Sequence, residues 1–135
     1  MAAIENALVS LLKADDALNA RVSGRVFPAV IKQGIQLPSV VFQRYATNRQ
    51  YGAGGSVSLL TANFQITVWA ESYTEAAEIG DLIRAAANGY TGTVSDIAID
   101  HIEILDEGDN PSLAAENESI DRYGRYVDTK IFFTE

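Results

Sequence analysis

The sequence predicts an α+β domain: a four-stranded, mainly antiparallel sheet with two main helices packed on one face and a long projecting β-hairpin. Three stretches carry that prediction. In residues 63–71, Phe64, Ile66, Val68 and Ala70 alternate with Gln65, Thr67, Trp69 and Glu71, the period of a strand with one buried face. The pattern then becomes Ala76, Ile79, Leu82, Ile83, Ala86 and Ala87, a helical stripe that leaves Glu75, Glu78, Asp81 and Arg84 for the other side. Upstream, Val40, Val41 and Phe42 open a strand reaching about Gln50, joined to the central strand through Gly52-Ala53-Gly54-Gly55-Ser56, the composition of a hairpin link. A sheet with one apolar face must bury it, and amphipathic helices are the layer that does so.

Taken in order, Ile4, Ala7, Leu8, Leu11 and Leu12 form one stripe and predict a helix over residues 3–14. Asp15 and Asp16 start a further short turn through Leu18 and Ala20 that ends at Ser23-Gly24. Arg25-Val26-Phe27-Pro28 reads as a short extended piece, because the residue before a proline is pushed out of helical geometry, and residues 29–38 read as a loop. The glycines at 52, 54 and 55 would lose much backbone entropy if fixed, so the hairpin tip is expected to project and move. Ser72 and Glu75 have capping-box spacing, and Gly89 suits the left-handed position after a helix, which bounds the main helix at 73–88. Ile97 and Ile99 alternate out of phase with Ile102 and Ile104, so a bulge near Asp100-His101 is needed to turn both pairs inward. Residues 106–121, broken by Gly108 and Pro111, read as an acidic polar loop. The final strand, about 122–134, puts Val127, Thr129, Ile131 and Phe133 on one face, and a right-handed crossover through the main helix lets it pair between its neighbours.

A chain of 135 residues suits one domain over 1–135 with a real core, and 47% hydrophobic with 21% charged residues is ordinary globular usage. Without cysteine there are no disulfides, no thiolate nucleophile and no cysteine-ligated zinc. Apolar runs far shorter than a bilayer span, and an N-terminus without a basic start, predict a soluble protein made in a cytoplasm. The net charge of −8 argues against a general nucleic-acid-binding surface. It is unevenly spread: residues 1–70 hold six basic and three acidic side chains (+3), and residues 71–135 hold four and 15 (−11). The two halves can therefore supply unlike surfaces, with Arg21, Arg25, Lys32 or Arg44 available to carboxylates beyond residue 70.

Chemistry is not evident. His101 is the only histidine and has no second soft ligand, so it reads as a strand residue rather than a metal or catalytic group. Gly52-Ala53-Gly54-Gly55 lacks the lysine and helix of a phosphate loop. The acidic run beginning Asp106-Glu107-Gly108-Asp109 raises calcium, but does not follow EF-hand spacing and meets Pro111, so a solvated loop is expected. No catalytic residue, cofactor or metal is assigned. The second face of the sheet is more informative. Opposite the core stripe stand Val41, Tyr45, Trp69, Tyr126 and Phe132 among polar groups, the mixture found at protein interfaces, unless residues 25–38 cover it. Arg44, Arg49 and Tyr51, toward the hairpin tip, complete the set of candidate interface residues.

The order of the pieces resembles the tail completion proteins of long-tailed bacteriophages, also called tail terminator or tail-to-head joining proteins. The resemblance runs through the leucine-striped first helix, Arg25-Val26-Phe27-Pro28, Leu37-Pro38-Ser39-Val40-Val41-Phe42-Gln43, and Phe64-Gln65-Ile66-Thr67-Val68-Trp69-Ala70 followed by Ser72-Tyr73-Thr74-Glu75-Ala76. It implies a non-enzymatic virion component, assembled in the host cytoplasm, that forms a hexameric ring at the head-proximal end of the tail. Implied partners are further copies of the chain, the tail tube protein and a neck or head completion protein, with DNA passing through the lumen unbound and no membrane. The competing readings are another head-tail connector adaptor and a small ligand-binding or enzymatic α+β domain, which would need a deep pocket with converging polar groups.

Overall fold

The computed structural model describes residues 3–29, 36–51, 57–110 and 122–134. Its elements are α1 (Ala3–Ala14), α2 (Asp16–Val22), β1 (Val26–Pro28), β2 (Ser39–Tyr51), β3 (Val57–Ala70), α3 (Tyr73–Ala87), β4 (Gly92–Val94), β5 (Ile97–Asn110) and β6 (Tyr123–Thr134). The α+β class holds, but the sheet has six described strands, ordered β1-β2-β3-β6-β5-β4, rather than four. It is mixed, because β1 runs parallel to β2 while the other described pairs are antiparallel.

The ends of α2 and α3 have local causes. Asp15 caps α2 by accepting from the Leu18 amide at 2.9 Å, and Ser23 closes it in the left-handed region. Ser72 accepts from the Glu75 amide at 3.1 Å, which makes the strand-to-helix switch without a linker. After α3 the chain turns at Gly89, φ +73°, whose amide donates to the Ile102 carbonyl at 3.0 Å.

All three helices lie on one side of the sheet. Ile4, Leu8, Leu12, Ile79 and Ile83 meet Val40, Phe42, Leu60, Phe64, Ile66, Val68, Val127, Ile131 and Phe133 in one apolar cluster. Phe42 and Phe64 contact edge to face, 6.1 Å between centroids. Buried Thr129 satisfies its hydroxyl by donating to the Phe64 carbonyl at 3.3 Å. The expected bulge in β5 is present as a register shift between Ile99 and His101, and Ile97, Ile99 and Ile102 are all buried. β6 lies between β3 and β5, as the crossover expectation has it.

Two short edge strands are added to those expected, and one expected loop is corrected. The extended piece at 25–28 is a paired edge strand, since Val26, Phe27 and Pro28 align with Val40, Val41 and Phe42. β4 was not foreseen: Ser95 and Asp96, both at positive φ, turn it back onto β5 as a two-residue hairpin, without the glycine that usually marks such a turn. Residues 106–110 are strand rather than loop, because β6 offers backbone partners from Asp128 to Gly124 and pairing overrides the acidic composition. The β2–β3 hairpin is as long as expected, pairing out to Tyr51 and Val57, and β6 flanks β3 from Ala70 up to Leu60. Its tip, 52–56, and the acidic stretch 111–121 lie outside the described residues, as do 30–35 of the predicted arm.

Candidate assembly interface

Cross-strand registers place Phe27, Val41, Thr67, Tyr126 and Gly108 in one row across the second face, and Ser39, Trp69, Gly124 and Asn110 in the next. Directly paired residues share a face, so these rows form one apolar end of the sheet. Trp69 lies against Gly124: a Cβ there would come within 2.8 Å of Trp69 Cζ3. The following row is polar, Gln43, Gln65, Asp128 and Asp106. Beyond it come Asn63, Lys130 and Glu103, then Asn48, Thr61, Phe132 and His101.

The predicted interface residues are therefore not one patch. Trp69 and Tyr126 stand together at one end. Phe132 is six residues from Tyr126 along β6, roughly 20 Å at strand rise. It helps to line a shallow hollow of about 300 Å³ with Asn48, Arg49, Leu59, Thr61 and Lys130. Tyr45 sits at a second bulge, between Arg44 and Ala46, and is 50% exposed. Tyr51 aligns with Val57 at the last described pair of the hairpin. Arg44 turns to the helix side, where Nη2 meets Glu5 Oε1 at 2.9 Å. Arg21 bonds Glu78 at 3.2 Å and Arg25 donates to the Pro38 carbonyl at 2.9 Å, so these cations are engaged within the subunit; Lys32 lies outside the described residues.

Two features were not read from the sequence. His101 stacks on Phe132, centroids 4.2 Å apart and planes 14° from parallel, with Nε2 3.3 Å from Glu103, and Lys130 Nζ lies 5.1 Å from the centroid of the same ring. This is packing chemistry. His101→Ala should retain the fold with a loss of about 0.5–1.5 kcal/mol from the lost stacking, measured by chemical denaturation, and leave assembly intact. The other feature is the cross-strand pair Asp106 and Asp128. Like charges directly opposite destabilise a sheet. Tyr126 relieves part of this by donating its hydroxyl to Asp106 Oδ2 at 3.0 Å, and that bond to Asp106, ahead of desolvation, raises the phenol pKa.

Asp128 has a raised pKa, first from desolvation, partly offset by a hydrogen bond from Gln65, with the charge of Asp106 adding to the rise. A carboxyl raised in the fold binds its proton there more readily than in the open chain. Stability from this group is thus present at low pH and is lost as pH rises from the ordinary carboxylate value through the folded value. Asp128→Asn should therefore raise the melting temperature at neutral pH and leave it unchanged well below pH 4, the ordinary aspartate range. Equal shifts at both pH values would exclude the charge as the cause.

At the opposite side, Asp109 joins the sheet to α3. It accepts from Tyr73 Oη at 3.0 Å and pairs with Arg125 Nε at 3.3 Å, and the Arg125 guanidinium is 5.8 Å from the Tyr73 ring centroid. Among the described residues no group of three or more His, Cys, Asp or Glu side chains could hold a metal ion.

All three helices lie on one face of the sheet; on the other, Ser39, Val41 and Thr67 are buried within the subunit, and Trp69, Tyr126 and Phe132 are half-buried. The chain belongs to the family described as Tail completion protein gp17, whose sequence profile matches residues 6–114. It is a structural protein of the phage virion, of the tail or neck. Among similar solved structures is a chain in "Virion of native gene transfer agent (GTA) particle", with TM-score 0.78 and 17% identity over 97% of this chain and 94% of that one. At that identity the likeness speaks to fold. No curated protein sequence matches.

Proposed function

We propose that the protein caps the head-proximal end of a phage tail tube and joins tail to head, as a ring of six copies assembled in the host cytoplasm. The observation that carries this reading is family membership over residues 6–114, in a subunit whose helices cover only one face of its sheet. The tube protein and a neck protein are the partners, the acidic chain lets DNA pass without holding it, and no catalysis is assigned. Trp69, Tyr126, Tyr45 and Phe132 supply apolar contact, and Arg49 and Tyr51 carry it toward the hairpin tip.

The test is addition of purified protein to tail tubes, scored by tube length, head joining and mass of the assembled species. A capped tube of fixed length is expected; continued tube growth with normal head attachment would assign the protein to the neck instead. The hairpin is tested separately. Deleting residues 52–55 and closing with a tight turn should preserve the circular dichroism spectrum and abolish capping. Normal capping by that variant would remove the tip from the contact.

A further inference from the structure

Among the described residues the sheet has two unfinished edges, on opposite sides. Beside β2, β1 pairs only with residues 40–42, where the Ala29 amide also takes the Phe42 carbonyl at 2.8 Å. From Gln43 to Arg49 every residue is exposed, and among the described residues nothing pairs with the outer side of β2. Beside β5, β4 pairs only with Ile97, Ala98 and Ile99, and the Gly89 amide takes the Ile102 carbonyl. From Glu103 to Asn110 the outer side of β5 is likewise open among the described residues. Unpaired strand edges are templates for another strand.

These edges are chemically unlike. The β2 stretch 43–51 contains Arg44 and Arg49 and no carboxylate; the β5 stretch 103–110 contains Glu103, Asp106, Glu107 and Asp109 and no cation. Each carries one exposed apolar side chain at a bulge, Tyr45 at 50% and Leu105 at 47%. Arg44 is paired with Glu5, Glu107 with Arg84 and Asp109 with Arg125 inside the subunit, so the attraction between the unlike edges rests on Arg49 against Glu103 and Asp106. We infer that β5 of one copy adds to β2 of a second copy, Glu103–Asn110 against Gln43–Tyr51, to make a sheet continuous between subunits.

The direction and register follow from the topology. β2 to β3, β3 to β6 and β6 to β5 are three antiparallel steps, so β5 is antiparallel to β2, and rotation about an axis near the strand direction keeps it so in the joint. In one subunit Asp106 shares a row with Gln43, whereas Asn48 shares a row with His101, four β3 positions away. Joining the open stretches requires a slip of about that size. Strands in a closed sheet tilt roughly 35–45° from the axis. Four strand spacings of about 4.8 Å then slip neighbouring copies by roughly 13–19 Å, or four to six residues. A slip of that size, taken toward the hairpin tip, brings Asp106 opposite Asn48. The contact is heterologous, using different surfaces of the two copies, as a ring requires.

This deepens the ring reading and rests on it, and can fail separately. The chain has no cysteine, so single cysteines report without background. Asn48→Cys and Asp106→Cys variants, each folded by circular dichroism, are mixed and oxidised with and without tail tubes. Their mixed disulfide should exceed that of Asn48→Cys with Asp81→Cys, on the outer face of α3, by on the order of tenfold, and fall in high salt. Arg49→Glu should weaken self-association by roughly tenfold, a change of about 1.4 kcal/mol. An assembled species without the selective cross-link, or a dominant Asn48→Cys homodimer, overturns the edge pairing while capping still stands. Selective cross-linking without capping upholds the pairing and rejects the capping role.

Discussion

Val68→Asp is expected to yield no soluble folded protein. Val68 is fully buried on β3, between Val40 and Arg125 in the neighbouring strands. An aspartate there has to ionise without water or remain neutral without a partner, and an unpaired buried charge belongs to the mutations that cost more than about 4–5 kcal/mol, a large part of the roughly 5–15 kcal/mol that holds a domain folded. Arg125 is the cation directly across, but it is committed to Asp109 at 3.3 Å and to the Tyr73 ring. Drawing it inward would exchange one unpaired group for another. Trp69→Ala, one residue on, faces the other way and should leave a folded subunit with weakened association. Soluble yield and far-ultraviolet circular dichroism read the first variant, and sedimentation over a concentration series reads the second. A folded Val68→Asp protein would mean that the core face can admit water.

Gly124→Ala should destabilise by about 1–3 kcal/mol, the usual range for an overpacked site, whereas Gly80→Ala should be close to neutral. Both glycines are buried and both have a close neighbour, so the contrast turns on what must move. At Gly124 the added Cβ meets Trp69 Cζ3 at 2.8 Å and the Asn110 carbonyl oxygen at 2.9 Å. The carbonyl belongs to the β5–β6 ladder and cannot retreat without breaking it. At Gly80 the Cβ meets Arg125 Cγ at 2.5 Å. That stem can swing aside, and alanine restores about 1 kcal/mol of helix propensity inside α3. The Gly80 variant should therefore keep its melting temperature and lose the Arg125 contacts to Asp109 and Tyr73. Adding Trp69→Ala should recover part of the Gly124→Ala loss, since one of its two obstacles is then gone. Equal losses at the two glycines would show that the Arg125 stem is as fixed as a backbone.

Local pattern decided the pieces. The alternation at Phe64, Ile66, Val68 and Ala70, the stripe from Ala76 to Ala87 and the Ser72 cap are properties of neighbouring residues. The bulge in β5 was legible for the same reason, because two isoleucine pairs out of phase can share a core only across an extra residue. The family too was legible, since it lies in the order of such pieces along 6–114. What residues 106–110 do was not. Their carboxylates are those of a solvated loop, and only the partner strand from Gly124 to Asp128, distant in sequence, holds them extended. The same holds for β1 and β4, three-residue strands with no period of their own, which exist because an edge was available to receive them. The sequence by itself determined the core stripe and which face carries the aromatics, because burial follows side-chain polarity at a known spacing; that Ser39, Val41 and Thr67 on the second face are buried too was not in that pattern. Only the tertiary structure decided that Trp69 and Phe132 stand at opposite ends of that face, that Arg44 is turned to Glu5, and that β2 and β5 have open edges among the described residues. Register and strand order are relations between segments far apart in the chain, and no local pattern contains them.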